Sequence, residues 1–348
     1  MTEGRTARIA FIGAGLHATE SLYPNIPFIP EFDFVALCDK DKAKAEQAAR
    51  RFGIWHWFTD VETMLEEIEP DGCCVCGPPA MHHEVGLQVL RRGIPLFVEK
   101  PLADSLEGAL ELAQAAKEHG TWGMVGFMKR FAPANVLAKE FMGSAEFGDL
   151  SSLTVTHGCG PYENTRKMLH FNGIHIIDLA RFLGGDVERV FAYSSDGGNG
   201  NLGIAATGKL EGGGVVQISQ NSGHTWEDCY ESVYASGSKA AVFVDGSKDV
   251  EVISPTARFA AGDGLKLFGF RSRHTVSGNI AFWWAGGHYQ RGYWGELSRF
   301  ARACLGLVPS SPTLEEGVKA HQVIEAILES AACGREVTVS AAPDPAVP

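Results

Sequence analysis

The sequence lacks several features that would each announce a different kind of protein. No stretch approaches the roughly 20 consecutive apolar residues of a membrane span, so no spanning helix is expected. Positive charge is not in excess: 30 Lys and Arg stand against 42 Asp and Glu, a formal net charge of −12. Nucleic acid and anionic membrane surfaces both reward a basic face, so neither is expected as the main partner. No internal repeat or low-complexity tract is found. The opening MTEGRTARIAFIGAG has a short apolar run that breaks at glycines, without a signal peptide's core and cleavage site. The expected compartment is the cytoplasm.

Cysteine is present but poorly patterned. Among the eight, Cys73, Cys74 and Cys76 cluster in DGCCVCGPP, and Cys73 to Cys76 has the C-x-x-C spacing of a metal or redox pair. The run reads as a buried strand, however, and residues three apart on a strand point to opposite faces. No second pair with useful spacing follows. These cysteines are expected to act as small apolar core residues, and no metal site is expected.

What is present is a globular composition, 45% apolar and 21% charged, over 348 residues, enough for two domains of ordinary size. Up to about residue 145 two periods alternate. RIAFIG, FVALCD, GCCVCG, PLFVEK and WGMVGF are short apolar runs bounded by turn signals. Between them, DKAKAEQAARRFG, MHHEVGLQVLRRG and SLEGALELAQAAKEHG read as helices. Strands alternating with helices predict βαβ units and a parallel sheet covered on both faces. After about residue 148, runs such as LSSLTVTHG, VERVFAYSS, GVVQISQNSG, ESVYASGS and KAAVFVDGS sit between glycine-rich turns, the pattern of an antiparallel sheet. The helices IHIIDLARFLGG, YWGELSRFARACLG and TLEEGVKAHQVIEAILESAACG join them, the last opening with Thr313 and Glu316 at capping-box spacing.

Chemistry enters at the strand ends, because open parallel sheets bind ligands beyond the carboxyl ends of their strands. IAFIGAGLHA presents Gly13-Ala14-Gly15-Leu16-His17-Ala18 between the first strand and a predicted helix. Its glycines allow a tight turn and close approach of backbone to a pyrophosphate. Asp39 ends the second strand, 24 residues beyond Gly15, where a carboxylate accepts both ribose hydroxyls of an adenosine. Its charge, with Asp41 close by, disfavours a 2′-phosphate, so NAD is expected over NADP. The alternative is that Asp39 caps the helix starting near Lys40. The remaining ends are Gly77-Pro78-Pro79, Glu99-Lys100-Pro101 and Phe127-Met128-Lys129-Arg130.

Here the chain resembles the glucose–fructose oxidoreductase, inositol dehydrogenase and MocA family. The resemblance rests on GAGLHA, CDKD, GPPAMHHEVGLQVLRRGIPLFVEKPLA, VGFMKRFAPA, GIHIIDLARFLGG and the closing GREVTV. The EKP triplet, with Pro78, His82 and Glu84 upstream and G-x-H-x-x-D downstream, is its most specific part. It implies an N-terminal Rossmann-type parallel-sheet domain, residues 1–128. An α+β domain with a large, mostly antiparallel open sheet would follow over 129–348, its last helix able to pack back on the first domain. It implies hydride exchange with nicotinamide, a catalytic Lys100, and a cis Lys100–Pro101 bond, which proline makes cheap. A lysine there would polarise a hydroxyl oxygen, and Glu99 would orient the ammonium or contact the cofactor ribose.

In Phe171-Asn172-Gly173-Ile174-His175-Ile176-Ile177-Asp178, His175 and Asp178 share a helix face, as proton carrier and as partner of substrate or imidazole. Many polyol-oxidising relatives carry an aspartate four residues before this histidine. Phe171 stands there instead, beside His170 and Asn172, so the lysine–aspartate–histidine relay is incomplete. Arg130, His157 and Asn172 are further substrate candidates, and Arg130 and His82 further cofactor candidates. Trp283, Trp284, His288, Tyr289 and Tyr293 offer aromatic faces to a sugar ring, an oligomer contact or a core. The expected activity is NAD(H)-dependent oxidation of a ring hydroxyl, or ketone reduction, on a sugar, cyclic polyol or derivative, by a homodimer or homotetramer. An NAD-cycling glycosidase and a catalytically silent cofactor-binding regulator are the alternatives.

Overall fold

The computed structural model describes residues 4–226, 228–254, 270–275 and 288–339. They form two compact units, one within Met1–Phe131 and Ala281–His321, the other within Ala132–Ile280 and Gln322–Pro348.

The first unit holds a six-stranded, all-parallel sheet of β1 (Ala7–Ile12), β2 (Phe32–Cys38), β3 (His56–Phe58), β4 (Gly72–Val75), β5 (Leu96–Glu99) and β6 (Gly123–Gly126). The order β3-β2-β1-β4-β5-β6 reverses direction between β1 and β4, the switch point at which doubly wound sheets open a crevice. Both faces are covered, as the apolar runs predict. Leu96 lies under Gly86 and Leu112, where helices Pro79–Arg91 and Leu106–Glu118 pack, and Gly86 has no room for a side chain there. Its neighbour Phe97 points the other way, to a ring contact of 5.7 Å with Phe300 of helix Tyr293–Cys304.

The segment after the glycine turn departs from the expected regular helix. Residues Ala18–Leu22 form one π-helical turn and Tyr23–Phe28 a 3-10 turn. Pro24 and Pro27 remove two backbone donors here and disfavour a continuous α-helix. What secures the segment is Tyr23, buried against Phe11 at 4.8 Å, with its hydroxyl donating to the Gly13 carbonyl at 2.6 Å.

The second unit carries β7 (Leu150–Gly158), β8 (Val187–Asp196), β9 (Leu202–Leu210), β10 (Val215–Asn221), β11 (Tyr230–Gly237), β12 (Ala241–Asp245), β13 (Asp249–Ser254), β14 (Phe270–Thr275) and β15 (Val337–Thr338). Their order is β14-β13-β12-β11-β7-β10-β9-β8-β15. All pairs are antiparallel except β7 with β10. Strand alternation sends Leu153, Val155 and His157 inward, beneath helix Ile174–Gly184. Tyr193, Tyr230 and Tyr234 are left exposed.

Candidate active site

The glycine turn is held from three sides. Gly13 has φ +108°, and a Cβ there would collide with the Cys76 carbonyl across the β1–β4 switch point, so no other residue fits. Its N–H donates to the Cys38 carbonyl at 2.8 Å. The Ala14 N–H donates to Asp39 Oδ2 at 2.7 Å, and the Asp41 N–H to Asp39 Oδ1 at 2.9 Å. Asp39 is therefore not the helix cap. Asp41 takes that role for Lys42–Phe52, accepting from Ala43 and Lys44. At Gly15 a Cβ would meet nothing within 4 Å, Leu16 is largely exposed and His17 is solvent-accessible. This open, acid-anchored turn at a switch point fits a dinucleotide, with Gly13, Ala14, Gly15, Leu16, His17 and Asp39 as the residues to hold it.

At the end of β5, Glu99 is buried and its Oε1 lies 3.5 Å from His17 Nε2. Its Oε2 accepts the Lys100 N–H at 3.1 Å. Gly126 makes room for it, because a Cβ there would stand 2.9 Å from the carboxyl carbon. Burial pushes the Glu99 pKa up, but His17, Lys100 and His82 outweigh it and hold the group below the ordinary range. Lys100 is half-buried, and desolvation lowers its pKa against the opposing pull of Glu99. The Lys100–Pro101 bond is cis, as the resemblance implied.

His82 links two strand ends. Its Nε2 lies 2.9 Å from the Gly77 nitrogen, a donor, so Nε2 accepts. Nδ1 must then carry the proton and donates to the Pro101 carbonyl at 2.8 Å. With both nitrogens engaged and desolvation lowering its pKa, His82 is a neutral strut between Gly77-Pro78-Pro79 and the Lys100–Pro101 corner. Arg130 pairs with Glu316 in the same unit. Cys73, Cys74 and Cys76 are buried free thiols pushed upward by desolvation, which suits core packing.

Sequence reasoning missed Glu296. It sits on helix Tyr293–Cys304, fully buried, and among the described residues neither carboxyl oxygen has a hydrogen-bond partner. Burial, then the charge on Glu99, pushes its pKa well above the carboxylate range. A glutamate on an amphipathic helix reads as solvated, and no sequence signal marked it.

In the second unit, His175 and Asp178 lie one turn apart on helix Ile174–Gly184, both buried. Asp178 Oδ1 is 3.7 Å from Arg181, which also bonds Asp186 at 2.7 Å. The two candidates for the missing relay aspartate are differently engaged. His170 Nε2 lies 3.5 Å from Glu325, and the Asn172 amide donates to the Tyr162 hydroxyl at 2.8 Å. Phe171 is half-exposed and joins Tyr162 and Trp226 in an edge-to-face aromatic cluster, with Trp226 5.6 Å away. His157 is buried at the end of β7. Of the aromatic segment, Trp283 and Trp284, and the side chain of His288, lie outside the described residues. Tyr293 packs edge-on to His17 at 5.7 Å.

Comparison with known proteins matches residues 7–127 to the model "Oxidoreductase family, NAD-binding Rossmann fold" and residues 168–339 to that family's C-terminal alpha/beta domain. The scyllo-inositol 2-dehydrogenase (NAD(+)) of Bacillus subtilis is 32% identical over 196 residues, covering 53% of this chain and 56% of that protein. Inositol 2-dehydrogenase 2 of Saccharopolyspora erythraea is 26% identical over 98% of both chains. A levoglucosan dehydrogenase solved with NADH and levoglucosan shares the fold at a TM-score of 0.81 and 21% identity, over 96% of this chain and all of that one. No helix among the described residues is long and apolar enough to cross a membrane. The chain belongs to the glucose–fructose oxidoreductase, inositol dehydrogenase and MocA family of oxidoreductases, with an NAD-binding Rossmann fold as its first unit.

Proposed function

We propose that this protein transfers hydride between NAD and a ring hydroxyl or ketone of a sugar, cyclic polyol or sugar derivative. The observation that carries the reading is the corner at the end of β5. There a half-buried lysine with a depressed pKa follows a charged, buried Glu99, at the carboxyl edge of a parallel sheet. Relatives named for inositol, D-glucoside and levoglucosan oxidation support the substrate class.

Held by Gly13, Ala14, Gly15, Leu16, His17 and Asp39, NAD would supply the hydride acceptor or donor. The chain's own residues manage the proton. Lys100 Nζ takes the hydroxyl proton during oxidation and gives it back during reduction, aided by desolvation that favours its neutral form. His175 is the second proton carrier, with Asp178 one turn on to bond the substrate or the imidazole. Asp39 favours NAD over NADP, because a 2′-phosphate would meet its carboxylate. Exposed Tyr193, Tyr230 and Tyr234 support a homodimer or homotetramer, which light scattering tests.

The functional test is absorbance of reduced nicotinamide with NAD or NADP and a panel of inositols, aldoses and glycosides, with released sugar assayed in parallel. Growth of the band with NAD is expected. Sugar release with a flat band would replace this reading by a glycosidase that oxidises and restores its substrate with one retained NAD. Binding of NAD with neither signal would mark a silent regulator.

A further inference from the structure

Strands β7 and β11 bring together a set of side chains that hydride transfer does not use. They pair antiparallel with Tyr230 opposite Gly158 and Glu231 opposite His157. One step further along each strand, Cys159 and Cys229 lie with Cα atoms 4.8 Å apart. Alternation puts His157 and Cys159 on one face of β7, and Cys229 and Glu231 on the same face of β11. A ring nitrogen of His157 and the two Sγ atoms lie within 4.8 Å of one another. His157 and Cys159 are buried while Cys229 is exposed, so the cluster opens to solvent on one side. In the structure the two sulfurs are joined as a disulfide.

We propose that the reduced form of this cluster is a binding site for a borderline-soft divalent cation of the zinc class, held by His157, Cys159 and Cys229. A dithiol reductant supplies two electrons and two protons, leaves as its own disulfide, and converts the Cys159–Cys229 bond to two thiols. The cation then replaces the two thiol protons, which pass to solvent as two metal–sulfur bonds form. Metal–sulfur and metal–nitrogen bonds of about 2.3 and about 2.0 Å set tetrahedral ligand atoms roughly 3.3 to 3.8 Å apart. Side-chain rotation reaches that spacing from atoms already within 4.8 Å.

Thiolate and imidazole donors select this class over magnesium or calcium, which prefer all-oxygen cages. Three protein ligands leave a fourth position for water or an anion on the exposed Cys229 side. The other thiols do not compete as a set, because Cys38, Cys73, Cys74 and Cys76 are buried in the first unit. Disulfide and cation use the same sulfurs, so only the reduced protein binds. The proposal assigns His157 to a cation instead of substrate and does not rest on the hydride-transfer reading.

The test uses the full chain, reduced with a dithiol that is then removed anaerobically, and Co²⁺ as the probe. One equivalent per chain is expected to bind, with thiolate-to-cobalt charge transfer and the intense visible bands of four-coordinate cobalt. Zn²⁺ should displace it. The oxidised protein, Cys159→Ser and Cys229→Ser should lose the charge-transfer band, and His157→Ala should weaken binding. Absence of the band in the reduced wild type, or its persistence in both serine variants, would overturn the site. Should the variants fail to fold, alkylation of the reduced wild type decides. Zn²⁺ should protect Cys159 and Cys229, but not exposed Cys333, and equal labelling with and without Zn²⁺ rejects the proposal.

Discussion

The carboxylate of Asp39 accepts the N–H of Ala14 at 2.7 Å, so the acidic end of β2 and the glycine turn after β1 form one rigid unit. Its other oxygen holds the Asp41 N–H at 2.9 Å. Asp39 thereby shapes the turn, and in the proposed function it also meets the cofactor ribose. Asp39→Ala should weaken NAD binding by about 10- to 100-fold, the loss of one or two hydrogen bonds to a charged group. It should weaken NADP binding less, since a repulsion also disappears. Fluorescence titration with both cofactors measures the ratio, and an unchanged NAD/NADP preference would count against Asp39 as the discriminating group.

Lys100 should separate chemistry from cofactor binding. Lys100→Ala is expected to lower kcat by about 10²- to 10⁴-fold, the usual range for a lost acid–base group, while NAD affinity changes little. The pH profile has a defined sign. Oxidation needs neutral Nζ, so its rate should rise with pH and level off above the Lys100 pKa, which lies below the ordinary 10.5. Ketone reduction should fall over the same window. A flat oxidation profile in the wild type would remove Lys100 from the proton's path.

The strands of the first sheet were legible because buried parallel strands are short apolar runs punctuated by turns, and Gly72–Val75 and Leu96–Glu99 fall inside the runs read from sequence. β3 was not legible, because three partly exposed residues, His56–Phe58, carry no usable period. The residues around Lys100 were marked by their place at a strand end. Glu296 was hidden because amphipathic spacing cannot distinguish a solvated carboxylate from one turned inward. Cys159 and Cys229 are 70 residues apart and meet only through the β7–β11 register, which no local pattern encodes. The 3-10 turn at Tyr23–Phe28 is written in Pro24 and Pro27, which cannot donate to a continuous helix.

His82 should act on stability first. His82→Ala leaves the buried Pro101 carbonyl without its ring partner, at a cost of about 1 to 3 kcal/mol, while water can replace the ring at the exposed Gly77 N–H. Denaturant unfolding should show this as a lower midpoint with an unchanged slope. Because Gly77 and Pro101 flank the Lys100 corner, kcat should fall as well, but less than for Lys100→Ala. A variant as stable as wild type would show that the strut is not needed.

Glu325 gives the clearest pH dependence of stability. Burial pushes its pKa up, but His170 at 3.5 Å and Arg166 at 2.5 Å outweigh that and hold it at about 2. The unfolded chain's glutamate titrates near about 4.3. A pKa depressed on folding adds stability that is complete above the unfolded value and is lost as pH falls toward the folded one. The contribution is about 2 to 3 kcal/mol, the lower end allowing for solvent around half-exposed Arg166. Glu325→Gln should therefore lower stability at pH 7 and flatten the acid limb between about pH 5 and about pH 2. Parallel acid limbs for wild type and variant, measured by denaturant titration at each pH, would show that the cluster does not carry this charge.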